Sequence, residues 1–274
     1  MAKVRNILRR AYWGACGIAA LKLGPVSKAI ARTAEIIVGY SRNYSYEPHA
    51  NGEFRVLQAL ARFPLKTIFD VGANVGDWTV EAARLFPAAR VHAFEIAAPT
   101  FAKLTARTSS LPNVIANGVG LSSENGQLEL KYARDRDVLT SFIASAEIHD
   151  ADWVSMPARV ARGDDYCAGQ GINRIDVLKI DVEGAEHLVL EGFSRLFSGN
   201  AIDVVQFEYG SSNIYSRQLL RDFYNFFTAR KYVVGKIMPG GVLFGSYRPE
   251  LEDFRGPNYL AVREERRDLI DVLR

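Results

Sequence analysis

Three acids stand where chemistry could be done. Asp181 follows the apolar run 175–180, Glu183 comes two residues later, and Glu208 closes the run 202–207. Short apolar runs bounded by polar residues read as strands buried in a parallel sheet. Such sheets bind ligands at the carboxyl edge, so two neighbouring strands that each finish in an acid bring those acids to one site. Crowded carboxylates raise the pKa of at least one member, which suits a base, and the same group can hold an ammonium or ligate a cation. Asp181 is the first candidate for this work, with Glu183 and Glu208 beside it. Glu183 has a simpler alternative role as a cap for the helix starting near Gly184. Asp176, inside the same run, is expected to be structural.

A second constellation lies in residues 68–79, where Asp70, Gly72, Asn74 and Gly76 follow the apolar Ile68 and Phe69. An acid and two glycines four apart, closing an apolar run, read as strand, tight turn and helix start. Gly72 permits a positive φ and a close backbone approach to a ligand, and Gly76 lets the next helix pack near the strand. A dinucleotide site needs a further glycine two positions after the first, to seat a pyrophosphate on the helix N-terminus, and Asn74 stands there instead. The spacing is that of S-adenosylmethionine sites, whose ligand carries no phosphate. The following strand, 90–95, ends in Glu95, a carboxylate able to accept both ribose hydroxyls of a nucleoside. The methionine end is expected against Asp70, Gly72, Asn74, Gly76 and Asp181, the ribose on Glu95, and adenine against Ile96 with Asn117 or Val119.

The elements that must position these residues alternate. Strand 68–71, a helix ending before Pro87, strand 90–95, a helix over 100–108 and strand 113–117 give β-α-β-α-β, and the pattern resumes with strands 175–181 and 202–207. Alternation of this kind predicts a parallel sheet with helices on both faces. A helix over 217–230, a hairpin around residues 239–241, a strand at 258–262 and a C-terminal helix complete a seven-stranded count with an antiparallel ending. Between these halves an insertion of residues 121–167 begins with a turn at 120–126, continues with an alternating strand at 127–132, and ends in a short strand with a turn at 158–167. It is too long for a plain loop and predicts a hairpin beside the pocket, where substrate choice could be made.

Composition bounds the rest. An apolar fraction of 48% with 24% charged residues is that of a globular protein with a packed core. Cys16 and Cys167 are far apart and show no metal-ligand spacing, so they read as unpaired thiols of a reducing, cytoplasmic compartment. With four scattered histidines, no zinc site is expected. His187 is a weak candidate for a base, and His92 and His49 are weaker. Residues 1–42 carry eight bases and one acid, whereas the whole chain is only +3, so a basic arm precedes a net acidic body at 43–274. The uncharged run 11–21 is too short to span a bilayer, and two short helices, 11–21 and 26–38, are expected to pack on the body, on a partner subunit as a homodimer, or peripherally on a membrane. Nucleic acid is not an expected partner, since the body is acidic and has no basic stripe interleaved with aromatics. The segment 41–53 reads as a loop beside the site, and Tyr44, Tyr46, Asn51, Gly52 and Glu53 are candidates to line a sugar site; it feeds a helix over 54–63.

Taken together, Asp70 to Gly76, Phe94-Glu95, Ile175 to Glu186 and Phe207-Glu208 resemble the FkbM-type methyltransferase family, over residues 51–262. Lys179-Ile180-Asp181-Val182-Glu183-Gly184 is the most specific part of the resemblance. It implies a class I, Rossmann-like S-adenosylmethionine-dependent fold and methyl transfer to a hydroxyl oxygen. Acceptors of the family include sugars of polysaccharides, glycolipids or oligosaccharides, and hydroxyls of polyketides. A divalent cation such as magnesium could assist removal of the hydroxyl proton. The competing readings are a nicotinamide-dependent dehydrogenase, disfavoured by Asn74, and a cofactor-binding scaffold without turnover in a polysaccharide assembly complex.

Overall fold

The computed structural model describes residues 12–14, 16–17, 24–133 and 153–274, and the chain divides into two compact units, 1–45 and 46–274. In the first unit, helix α1 (Pro25–Arg42) opens with Pro25, whose fixed φ and missing N–H suit a first helical position. It ends at Asn43 in left-handed conformation, where the Asn43 and Tyr44 amides bond the Tyr40 and Gly39 carbonyls. It therefore runs four residues past the expected stop, because Gly39 stays helical and the left-handed residue comes later. The other expected arm helix, 11–21, lies largely outside the described residues, as does the stretch 134–152 of the insertion. No helix among the described residues is long and apolar enough to cross a membrane.

The second unit begins with α2 (Pro48–Asn51), a helical turn within the segment expected as loop, and α3 (Glu53–Leu60). Then come β1 (Thr67–Val71), α4 (Asp77–Leu85), β2 (Arg90–Phe94), α5 (Ala98–Thr108) and β3 (Val114–Asn117). The chain next leaves the main sheet for β4 (Gly120–Ser122), β5 (Gly126–Ala133), β6 (Trp153–Arg162) and α6 (Gly163–Gly169). It returns with β7 (Ile175–Ile180), α7 (Glu186–Gly192), α8 (Ser194–Ser198), β8 (Ile202–Glu208), α9 (Ser212–Ser216) and α10 (Leu220–Thr228). The ending is β9 (Tyr232–Met238), β10 (Gly241–Phe244), β11 (Asn258–Arg263) and α11 (Arg267–Leu273).

The main sheet runs β10-β9-β11-β8-β7-β1-β2-β3. From β3 to β8 all neighbours are parallel, and β11 inserts antiparallel between β8 and β9. This is the class I arrangement with helices on both faces, and its strand order reverses between β1 and β7, the point at which open α/β sheets bind ligands. The sheet has eight strands rather than seven, because both arms of the expected hairpin, β9 and β10, belong to it. Side chains alternate between two cores: Phe69, Leu178 and Phe207 face one way, and Ile68, Val177 and Val204 the other. Helix α10 presents Leu220, Phe223, Tyr224 and Phe227 at helical spacing to the first core. It starts three residues later than expected, since Arg217 is left-handed and closes α9.

The insertion forms a three-stranded sheet, β4-β6-β5, instead of a bare hairpin. Residues 120–122, expected as part of a turn, pair in parallel with 160–162. Residues 163–167, expected as part of a short strand with a turn, are helical: Asp164 and Asp165 sit in the first turn of α6, and Asp164 accepts the Arg195 and Leu196 amides at 2.7 and 3.1 Å.

Candidate active site

The carboxyl ends of β1, β2, β7 and β8 open onto a cavity of about 570 Å³, within the range of about 300–1,000 Å³ usual for small-molecule sites. Each strand delivers a backbone turn or an acid. After β1 the chain turns through Gly72 (φ 81°) and Asn74 (φ 50°), both in the left-handed region. The tight approach that Gly72 permits is to protein: a Cβ there would overlap the Asp181 carbonyl, so the glycine lets the ends of β1 and β7 close together. Gly76 lies off the cavity wall and, at φ 92°, makes room for Leu104 of α5, where a larger residue would collide.

Glu95 follows β2 and is 6% exposed on the cavity wall. Its carboxylate accepts the Ala97 amide at 2.8 Å and the Asn74 amide at 3.0 Å. Burial nevertheless pushes its pKa up to about 7, because two neutral donors only partly replace the lost water. Around it Phe94, Ile96, Leu121, Leu130 and Val160 make an apolar wall suited to an aromatic base. The small sheet supplies the last three.

Asp181, Glu183 and Glu208 also line the cavity, each offering a carboxylate oxygen within 4.8 Å of the others. Burial raises the pKa of Glu183 and Glu208, and each is raised further by the carboxylates facing it, Asp181 first. Glu183 sits in a left-handed turn (φ 56°) before Gly184 (φ 98°), which turns its side chain back to the cavity. The capping work expected of it is done by Glu186, whose Oε1 accepts the Val182 and Gly184 amides, both at 3.1 Å.

Three expected ligand residues lie elsewhere. Asp70 is fully buried and absent from the cavity wall; it accepts the Thr79 hydroxyl at 2.6 Å and pairs with Lys179 Nζ at 3.3 Å. Its place inside β1, one residue before the strand ends, is the physical reason. Asn117 is spent on the Ala93 and Ile115 carbonyls and on the Tyr166 hydroxyl, so its amide does not face the cavity. Gly76 serves helix packing. By contrast Gly72, Asn74, Glu95, Ile96, Asp181, Glu183 and Glu208 all line the cavity.

Lys179 was missed by sequence reasoning. It stands opposite Asp70 in the β1–β7 register and bridges it to Asp181, which lies 3.1 Å from Nζ. Burial opposes its charge, but the carboxylates of Asp181, Asp70 and Glu53 outweigh that and hold its pKa above the ordinary lysine value. A lysine inside an otherwise apolar run was the available signal. Tyr46 is on the cavity wall with its ring more than half exposed; burial of its hydroxyl and the nearby Glu208 push its pKa up to about 12. Asn51 and Glu53, expected to line a sugar site, are buried in a network instead: Glu53 accepts Asn51, Asn258 and Gln206 side-chain amides at 2.7, 2.7 and 2.9 Å. His92 is buried in β2 against Tyr166, and burial lowers its pKa to about 4, which leaves it neutral. Neither it nor His187 reaches the cavity wall.

Fold and site together define a class I methyltransferase: an acid at the end of the second strand and an acid cluster line one cavity at the strand-order switch. The methyltransferase FkbM domain matches residues 70–245. The chain belongs to this family and is an S-adenosylmethionine-dependent O-methyltransferase. It is 26% identical over 176 residues to the 2-O-methyltransferase NoeI of Sinorhizobium fredii, covering 60% of this chain and 72% of that protein. It is 30% identical over 157 residues to the 31-O-demethyl-FK506 methyltransferase FkbM of Streptomyces tacrolimicus, covering 47% and 60%. It is 32% identical over 142 residues to the hexuronic acid methyltransferase AglP of Haloferax volcanii, covering 51% and 53%. The chain thus spans between about half and three quarters of the lengths of these relatives. Among solved structures, an O-methyltransferase from Bacillus cereus in complex with SAH superposes with a TM-score of 0.42 at 10% identity, over 90% of this chain and 96% of that one.

Proposed function

We propose that this enzyme methylates a hydroxyl of a sugar, carried in a polysaccharide, a glycolipid or an oligosaccharide. The observation that carries the reading is the meeting of two groups in one cavity: Glu95 with its apolar surround, and the acids at the ends of β7 and β8. The residues fit S-adenosylmethionine. Glu95 is placed to accept ribose hydroxyls, Ile96, Leu121 and Leu130 to cover adenine, and Asp181 with the turn at Gly72 and Asn74 to face the methionine end. When bound, the cofactor supplies an electrophilic methyl on a sulfonium.

The chain's own task is to hold the acceptor oxygen in line with that methyl, since orientation is the main source of acceleration in such a displacement. Tyr46, Ser211 and Ser212 give the acid-lined wall a rim of aromatic face and hydroxyls that suits a sugar. The acid cluster favours departure of the acceptor's proton as the oxygen is methylated. A relative whose name specifies a hexuronic acid supports a sugar, a relative named for a 2-O position supports a hydroxyl acceptor, and the FK506 enzyme keeps a polyketide-type hydroxyl as the competing acceptor. The net-basic arm supports an acceptor presented at an anionic surface.

Calorimetric titration with S-adenosylhomocysteine, followed by transfer of labelled methyl to panels of uronic acids, neutral glycans and macrolides, tests the proposal. Micromolar binding lost in Glu95→Ala, with label entering glycans, is the expected result. Label entering macrolides alone overturns the sugar assignment, and absence of cofactor binding overturns the site.

A further inference from the structure

We infer that Asp181, Glu183 and Glu208 form a binding site for one hard divalent cation, such as magnesium or manganese; the inference rests on the methyltransferase reading of the same cavity. One oxygen from each carboxylate lies within 4.8 Å of the others. Two oxygens on opposite sides of one ion stand about 4.2 Å apart for magnesium and up to about 5 Å for calcium, from metal–oxygen distances of about 2.1 and 2.3–2.6 Å. One ion can therefore touch all three with small side-chain adjustments. All-oxygen, anionic ligation selects a hard cation over zinc or copper.

A second observation points to the same occupant. Glu208 is only 8% exposed, it lines the cavity, and its Oε2 is buried with no hydrogen-bond partner. A buried carboxylate oxygen left without a donor is costly, and an ion removes that cost. Asp70 Oδ1 is also buried without a hydrogen bond, but it faces Lys179 Nζ at 3.3 Å. Glu186, fully buried nearby, accepts the Val182 and Gly184 amides and the Asn213 side-chain amide, the last at 3.3 Å.

Lys179 Nζ pairs with Asp181 at 3.1 Å and with Asp70 at 3.3 Å. A divalent ion held by the three acids leaves coordination positions for water or the acceptor, because magnesium keeps several exchangeable oxygens when held by few carboxylates. An acceptor hydroxyl on the ion becomes more acidic. In the transfer, the oxygen–methyl bond forms, the methyl–sulfur bond breaks with its electron pair going to sulfur, and the hydroxyl proton leaves to water.

The test uses manganese as the probe: paramagnetic resonance titration of the full chain, with and without S-adenosylhomocysteine, and calorimetry of S-adenosylhomocysteine on the same samples. The expected result is one bound manganese per chain, displaced by magnesium, retained with S-adenosylhomocysteine, and weakened at least tenfold in Glu208→Gln. If Glu208→Gln does not fold, the partly exposed Glu183→Gln gives the same readout. No bound manganese, or equal binding in the variants, overturns the site. Displacement of manganese by S-adenosylhomocysteine also overturns it, because the acids would then seat the methionine ammonium. Cofactor binding without manganese removes the metal site alone, whereas absence of both removes the methyltransferase reading with it.

Discussion

Glu95 should be held at the expense of stability, and replacing it with glutamine should reveal by how much. Its pKa rises from 4.5 to about 7 in the folded chain, chiefly through burial. The folded state therefore keeps the proton over a pH range in which the unfolded chain has lost it. Stability falls as pH rises from about 4.5 to 7 and stays reduced above that. At about 1.4 kcal/mol for each pH unit between the two values, the penalty at pH 8 is on the order of 3 kcal/mol. Glu95→Gln removes it. The substitution carries its own cost: both Glu95 oxygens accept backbone amides, and glutamine has one carbonyl, so a donor at Asn74 or Ala97 loses its partner for roughly 1–2 kcal/mol.

The two effects differ in pH dependence, which makes the outcome sharp. At pH 8 Glu95→Gln should be more stable than the parent by about 1–2 kcal/mol, and at pH 5 less stable by roughly 0–1 kcal/mol. Urea unfolding followed by circular dichroism at pH 5, 6, 7 and 8 measures it, because all other titrating groups cancel between the two proteins. The same variant should bind S-adenosylhomocysteine about 10- to 100-fold more weakly, the loss of one charged acceptor to a ribose hydroxyl. A stability difference independent of pH would refute the reasoning, since Glu95 would then titrate alike in both states.

Lys179→Met should cost about 3–5 kcal/mol in urea unfolding, because it strands the fully buried Asp70 carboxylate; a loss below about 1 kcal/mol would mean that the pair does not hold the strand ends. Gly72→Ala should lose about 2 kcal/mol or more, from the left-handed φ of 81° and the collision with the Asp181 carbonyl. Parent-like stability there would contradict the close approach of β1 and β7. Tyr46→Ala should raise the acceptor KM several-fold and leave S-adenosylhomocysteine affinity unchanged, measured by initial rates and calorimetry; an unaltered acceptor response would remove Tyr46 from the acceptor site.

What could be seen in the sequence, and what could not, follows from where an acid stands relative to the end of its strand. Glu95 and Asp181 come one residue after β2 and β7, and Glu208 is the last residue of β8. An apolar run shows its own end, so these acids could be placed at the carboxyl edge before any coordinates. Asp70 is one residue inside β1, and since successive strand residues point to opposite faces, that single step turns it from the edge into the core beside Thr79 and Lys179. Reading it as a ligand required the strand to stop one residue earlier than it does. Lys179 posed the converse problem. Its partner Asp70 is 109 positions away, and only the β1–β7 pairing makes them neighbours. The apolar wall from Leu121, Leu130 and Val160 was hidden for the same reason, because a turn and a hairpin became one sheet through pairing of residues 120–122 with 160–162. Local pattern thus locates groups that a strand releases into the cavity, and register decides those that it keeps. Lys179 joins the two classes: through Asp70 it is fixed in the core, and through Asp181 it reaches the site, so the acid cluster is tied to a pair of residues that do not line the cavity.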